Sequence, residues 1–408
     1  MDGIIIFDDG GGSFGPMTDL RSSFDLRTGI FTTSERFVRA ARLPVVAHIA
    51  LPDLQDVSNE RHGDSGPLAV PDQGHWLLLN GRFPDAASDG AIELGNAECI
   101  ETSEGLIIRR ASLSSKHLLH WCEHGELPSD VVMTTVSGDD GLVHPWDVLT
   151  TAPKRIESDF NLMRNDGFTS IASLPVDVYL RGERNRFAIH PTAQLGPGVV
   201  IDTREGMVVV DEHVVIDPGA VLVGPCCIGA HTRIAPHTHV KANTVVGPHC
   251  RLGGEIGSSV FQGFANKSHH GHLGDSWVGE WANLGAGTVN SNLLNTYGEV
   301  SLRLEPNGPR IRSGRNFLGA IIGDHVKTAI GTRIMTGSVL GTGAMVACSE
   351  PPPGCTPRFA WLTDAAEGTR HYQIGKFLDV ARAVMSRREC VPGEAYSARL
   401  TALREGME

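Results

Sequence analysis

Aliphatic residues spaced by six dominate the middle of this chain. Ile216, Leu222, Ile228, Ile234, Val240, Val246 and Leu252 follow one another without a break, and a small residue follows most of them, as in Ile228-Gly229, Ile234-Ala235 and Val246-Gly247. An amphipathic strand has period two and a helix 3.6. Period six is the hexapeptide repeat of a parallel β-helix, where three short strands make a coil and each sends one aliphatic side chain inward. One coil cannot bury its own apolar stripe, so coils stack into a solenoid. The pattern reaches back through Ile189, Leu195, Ile201 and Val210, with a short loop around Arg204 to Gly206. It resumes at Ile322, Thr328, Ile334, Leu340 and Val346. That predicts about seven coils, on the order of 35 Å at ~4.8 Å per coil.

The phase slips after Leu252. Leu273, Val278 and Leu284 stand five and six apart, and residues 289–320 leave the repeat altogether. Slips and insertions are where functional loops leave such a scaffold. Pro351, Pro352 and Pro353 are expected to end the ladder, since proline donates no hydrogen bond to it. Beyond them, Ile374, Phe377, Leu378, Ala381, Val384 and Met385 predict an amphipathic helix over 370–388 that covers a face of the solenoid.

The first part of the chain has another pattern. Gly3 to Phe7 reads as a buried strand running into Asp8-Asp9 and a glycine-rich turn at 10–15. Ser34 is the N-cap candidate for a helix carrying Phe37, Val38 and Ala41. Val45 to Leu51 and His75 to Leu79 read as further strands, the last ending at Asn80-Gly81-Arg82. Residues 141–163 read as a helical connector packing Val148, Ile156, Phe160 and Met163. Strands alternating with helices predict a Rossmann-like α/β layer that binds ligands at the carboxyl ends of its strands. The expected organisation is an α/β domain at 1–185, a β-helix at 186–350 and a tail with a helix at 351–408.

A formal net charge of −12 argues against a nucleic-acid partner, which needs clustered positive charge. No run of 18 apolar residues marks a membrane span. The eight cysteines form no CxxC pair and are expected as reduced thiols in a cytoplasmic protein.

Residues 273–292, LGDSWVGEWANLGAGTVNSN, resemble the acetyltransferase domain of the bifunctional enzyme that forms UDP-N-acetylglucosamine. FDDGGGSFGPMTDLRSSFDLRTGIFTTSERF, LLLNGRFPD, HPWDV and GGEIGSSVFQGFANKSHHGHLGDS are similar to a bacterial group of GlmU-like sugar nucleotidylyltransferase/acetyltransferases. The resemblance implies a left-handed β-helix and a homotrimer, with acyl-CoA lying between neighbouring solenoids. It implies acetyl-CoA-dependent N-acetyl transfer to an amino sugar or sugar phosphate in nucleotide-sugar metabolism.

Acetyl transfer to an amine needs a base, donors for the thioester oxyanion and a slot for the pantetheine arm. The resemblance puts the base at His269, in a loop made cationic and titratable by Lys267, His270 and His272; Lys267 and His272 are its companion catalytic candidates. A lone loop histidine is more often a bland surface residue. A histidine is nonetheless suited to the task, since its reference pKa of ~6.5 leaves it basic near neutral pH. Asn283 and Asn292 match the family's sugar-binding asparagines, against the alternative of an asparagine ladder within the solenoid. Ala286 matches a residue whose backbone N–H faces the thioester, and Gly285 and Gly287 permit close approach. Lys327 and Arg333, one coil on, are candidates for the coenzyme phosphates.

The chain departs from the family in places. His272 stands where the family has a tyrosine, and no lysine near Gly257 matches the one that grips the sugar phosphate. In the N-terminal half GGGSFGPMT lacks the family's loop arginine, so Arg21 or Arg27 would have to bind substrate instead. Arg82 occupies the place of the aspartate that holds Mg²⁺, leaving Asp8, Asp9 and Asp159 as carboxylates. Mg²⁺ is therefore implied only for an active nucleotidylyltransferase half. Four readings stay open: an N-acetyltransferase, a bifunctional enzyme, a zinc hydratase using His237, His239 and a histidine among 269–272, and a non-catalytic binding protein.

Overall fold

The computed structural model describes all residues except 89, 103–104, 137–140, 164–173, 366–369 and 407–408. The chain first builds an α/β layer from β1 (Gly3–Phe7), α1 (Thr33–Ala41), β2 (Val45–Ile49), α2 (Gln55–His62), β3 (His75–Asn80), β4 (Asn96–Thr102), β5 (Gly105–Ser114), α3 (Ser115–His124) and β6 (Val132–Thr135). Its six-stranded sheet has the order β2-β1-β3-β5-β4-β6. The pairs β1–β2, β1–β3 and β4–β6 are parallel, while β5 runs antiparallel to β3 and β4. Helix α1 starts on Thr32, not Ser34: Thr32 and Glu35 close a capping box that satisfies two free backbone donors. The connector forms two short helices, α4 (Pro145–Thr151) and α5 (Ile156–Leu162), with Val148, Ile156 and Met163 buried.

The second body is a parallel β-helix. Its strands line up into faces of six, nine and ten strands. The ladder starts at Tyr179–Arg181, ahead of the junction expected near 185, and it does not stop at the prolines. Pro351 to Pro353 take one side of a coil, and pairing resumes at Cys355–Thr356 and Ala360–Thr363. Nine coils thus replace the expected seven, a stack of roughly 40 Å at ~4.8 Å per coil. The six-spaced residues fill the interior as one column-like core from Ile189 to Val346. The 289–320 excursion contains an antiparallel hairpin, Ser301–Leu302 against Ile311–Arg312.

A second apolar row runs down the outside of the nine-stranded face: Val209, Cys227, Val245, Val260, Trp277, Ile321 and Val339, all buried. Met17, Leu26, Ile30, Phe31, Trp146, Leu149 and Ile156 from the first 163 residues cover it. Each fully buried aliphatic side chain there contributes ~1.5–3 kcal/mol, so the two bodies share a continuous core. At another corner His213, His231, His249, Phe264, Trp281 and His325 stack in sequence, all with left-handed backbone. The C-terminal helices α6 (Ile374–Ser386) and α7 (Glu394–Glu405) pack over the end of that stack through Phe377, Met385, Tyr396 and Leu400. Sequence patterning missed α7, whose apolar residues do not gather into a stripe. Among the described residues no helix is long and apolar enough to cross a membrane.

Candidate active site

The slip after Leu252 has a local cause. Two residues, Gly253 and Gly254, turn the corner between the strands Arg251–Leu252 and Glu255–Gly257. Four turn it in the next coil, Ser268 to Gly271, and four again at Gly285 to Thr288. The short corner needs glycine: Gly254 has φ +83°, and a Cβ on it would lie 2.6 Å from the Gly271 carbonyl oxygen. It leaves a step under the following loop, and Lys267 fills that step from inside. Lys267 occupies the inward position held by Leu252 in the coil below and Leu284 in the coil above. Its ammonium donates to the carbonyls of Gly253 (3.1 Å) and His269 (2.9 Å). With the side chain 1% exposed, burial pulls its pKa down to about 8. Lys267 therefore does not meet substrate, contrary to expectation; it fixes the His269 backbone.

His269 and His270 project from this corner into solvent. The ladder aligns Asn266 with Asn283, and Gly287 donates to the His270 carbonyl at 3.1 Å. That register sets His269 beneath Ala286, one ladder spacing of ~4.8 Å away. The Ala286 N–H has no acceptor among the described residues. Corresponding positions in earlier coils hold Pro218 and Pro236, which carry no N–H. This loss of proline marks the corner where a backbone donor becomes free, a signal the motif reading did not use.

Two clefts flank the corner. Along the ten-stranded face Arg251, Asn266, Asn283 and Lys327 stand in register, with Asn266 Nδ2 3.4 Å from Asn283 Oδ1. The end of α6 closes over them into a cleft of about 450 Å³, and Arg388 Nη2 donates to Asn266 Oδ1 at 3.1 Å. Burial pulls the Lys327 ammonium down to about 8. On the other side, half-buried His272 has Nδ1 3.4 Å from Glu255. Asn292 donates to Asp275 at 2.7 Å and lines a separate cleft of about 600 Å³ with Lys241, Lys154 and Arg315. One chain thus does not bring Asn283 and Asn292 together, because they lie past different corners of the triangular coil. Arg333 lies apart from the first cleft, its guanidinium on the Ser349 carbonyl and Glu350.

The N-terminal candidates are placed differently from expectation. Arg21 is 1% exposed and locked to Asp324 (2.9 Å) and Glu280 (3.0 Å) of the solenoid. Arg27 donates to the carbonyls of Gln262 and Ile30. Both arginines tie the two bodies together and reach no open cleft, so neither substitutes for the missing loop arginine. Ser34, His48 and Asp64 are joined by contacts of 2.9 and 2.6 Å in the manner of a hydrolytic triad. Ser34 and His48 are both buried, which leaves no room for a substrate, and the network ties α1 to β2.

Asp9 lies just beyond β1, and Arg82 holds both of its carboxylate oxygens at 2.6 and 2.7 Å. Burial works against the Asp9 charge, but Arg82 and Asn80 outweigh it and hold the carboxyl below its usual range. Asp159 is equally occupied by Arg36, at 2.6 and 2.7 Å. Asp8 accepts from the Ser23 and Gly10 amides, and burial raises its pKa. These residues do not fit Mg²⁺: the carboxylate at the strand end is already neutralised by a guanidinium, which cannot bind a cation. The expected result is no pyrophosphate release from UTP and a sugar 1-phosphate in the presence of Mg²⁺. Turnover at an ordinary enzyme rate of ~1–10³ s⁻¹ would overturn this.

Residues 4–167 match the family model described as sugar nucleotidyl transferase. A bifunctional sugar-1-phosphate nucleotidylyltransferase/acetyltransferase of Sulfurisphaera tokodaii is 33% identical over 144 residues, 35% of either chain. A bifunctional protein GlmU of Cyanothece sp. is 29% identical over 169 residues, 40% of this chain and 35% of its own. The chain spans about a third of the length of these curated relatives. Among solved structures, an Arabidopsis UDP-N-acetylglucosamine acyltransferase is 12% identical, with 53% of this chain and 80% of that one covered. Its TM-score is 0.25, a likeness too loose to bear on the reaction.

Proposed function

We propose that this GlmU-like chain, a sugar nucleotidyl transferase-type domain joined to a hexapeptide solenoid, is an acyl-CoA-dependent N-acetyltransferase acting on an amino sugar or sugar phosphate. One observation carries the reading: exposed His269 lies one ladder spacing beneath the unpartnered N–H of Ala286. A general base and an oxyanion donor at one corner are the minimum that thioester aminolysis needs. The acceptor nitrogen attacks the thioester carbonyl as His269 takes its proton. The carbonyl oxygen gains charge facing the Ala286 N–H. Collapse of the tetrahedral intermediate expels the coenzyme thiolate, which takes the proton back from the imidazolium.

The Asn266 and Asn283 amides suit sugar hydroxyls, and Lys327 suits an anionic group. Because Asn283 and Asn292 sit on different clefts of one chain, a site using both needs neighbouring solenoids side by side. This supports a homotrimer, in which a rotational axis repeats the same junction three times. The match of residues 4–167 favours a second reading, a bifunctional enzyme, and the Arg82–Asp9 pair counts against it.

The test is a thermal-shift and turnover screen of acetyl-CoA with a panel of amino sugars and amino-sugar phosphates. A ligand at 100 times its dissociation constant adds ~2.7 kcal/mol to stability. Stabilisation by acetyl-CoA together with free thiol release in the presence of one acceptor is the expected result. No response to acetyl-CoA would defeat the transferase reading. Light scattering that reports the mass of a single chain at micromolar concentration would defeat the trimer.

A further inference from the structure

We propose that the cleft between the ten-stranded face and the end of α6 binds a phosphate-bearing group, and that the C-terminal helix supplies part of this site through Arg387 and Arg388. Four cations converge there: Arg251 and Lys327 from coils on either side of Asn266 and Asn283, and Arg387 and Arg388 from just past α6. Among the described residues no carboxylate lines the cleft, in a chain whose net charge is −12. Other surface arginines of the regular coils carry a carboxylate partner, as Arg204 does with Asp202 and Arg233 with Asp217. None of these four has a carboxylate partner among the described residues.

Gathering like charges without a counter-ion costs stability, and the cleft shows that cost. Burial, then the neighbouring Arg388, pulls Arg251 below its ordinary value. Arg388 is already aimed, through its 3.1 Å bond to Asn266, yet its Nε is buried with no partner. A buried guanidinium donor left over is a group waiting for an acceptor. Phosphate supplies several strong acceptor oxygens and the missing negative charge, and arginine forks match its geometry. A volume of about 450 Å³ admits a sugar phosphate or a diphosphate. The inference deepens the transferase reading by giving the helix a binding role at the same site. The phosphate belongs to the acceptor or to the coenzyme, and the experiment separates the two.

The probe is inorganic pyrophosphate, titrated calorimetrically into the full chain at low salt. Wild type is expected to bind it, with affinity falling as salt rises. The Arg387→Gln/Arg388→Gln double variant should bind at least about tenfold more weakly. Arg387→Gln alone, at an exposed position, should show part of that loss and guards against misfolding of the double variant. Arg312→Gln, on the distant hairpin, should bind as wild type does. Displacement by a hexosamine 1-phosphate assigns the site to the acceptor; displacement by adenosine 3′,5′-bisphosphate assigns it to the coenzyme. The proposal is overturned if wild type gives no pyrophosphate heat, or if the double variant binds unchanged. The readout needs no turnover, so a chain that binds pyrophosphate yet transfers no acetyl group fails only as a transferase.

Discussion

His269→Ala lowers kcat for acetyl transfer by ~10²–10⁴-fold and leaves acyl-CoA affinity within about threefold, the pattern of a lost general base. The structure makes this variant clean. The imidazole projects into solvent from the corner beneath Ala286. The corner is held by its backbone, through Lys267 on the His269 carbonyl and Gly287 on the His270 carbonyl, so removing the ring does not release the loop. Lost rate with unchanged thermal stability therefore reports chemistry. His270→Ala is the neighbouring control, one residue further round the corner. His272 is the rival base, half-buried and 3.4 Å from Glu255. If His272→Ala abolishes turnover while His269→Ala keeps it, the base is His272 and the corner beneath Ala286 only shapes the site. If both variants turn over normally on a verified acceptor, neither histidine is the base.

The interior of the solenoid was legible because each coil repeats one demand, an inward aliphatic side chain every six residues. The outward row Val209, Cys227, Val245, Val260 and Trp277 recurs only once per coil, on a single face, so it is three times sparser than the inward pattern. It announces a covered face, but inward periodicity alone does not ask about it. The end coils were missed for opposite reasons. Tyr179–Arg181 falls before any repeat has accumulated, and Pro351 to Pro353 mimic a stop although they only replace one side of a coil. At the candidate site, the slip marked the shortened corner, since a coil cut to Gly253-Gly254 must break the spacing. Charge was the misleading signal. A lysine between Asn266 and Ser268 reads as solvent-facing, and only the step beneath it makes room for a buried ammonium. Arg21 and Arg27 read as substrate ligands because the solenoid groups they hold lie more than 200 residues away in the chain. Arg387 and Arg388 were invisible for the same reason: no local pattern says which face a C-terminal helix will reach.

Arg21→Ala is expected to destabilise the junction between the two bodies by ~3–5 kcal/mol, the usual result of removing one partner from a buried ion pair. Arg21 and Asp324 are essentially without solvent, and Arg21 also meets Glu280, itself held by Arg61 at 3.3 Å. Without the guanidinium, Asp324 keeps the Glu280 amide at 2.6 Å but loses its one cation contact among the described residues. Glu280 keeps Arg61, so the uncompensated charge falls on Asp324. The double variant Arg21→Met/Asp324→Asn removes both charges and should recover part of the loss, a coupling that additive effects cannot produce. The pH dependence provides a second check. Burial opposes the Glu280 charge, but Arg61 and Arg21 outweigh it and hold the carboxyl down at about 2. A depressed carboxylate contributes stability fully above its unfolded value of ~4.3 and loses it as pH falls through the folded value. Glu280 should therefore keep this contribution at neutral pH and lose it as pH falls below about 4.3, with a shallower slope there for Arg21→Ala. Asp324, which burial pushes up to about 6 in spite of Arg21, acts in the opposite sense: it costs stability at neutral pH, and that cost is relieved as pH falls from about 6 towards its unfolded ~3.9. The measurement is the urea midpoint of the transition that exposes Trp146 and Trp277, both buried at the junction. An Arg21→Ala midpoint equal to wild type would mean that the apolar row alone joins the two bodies.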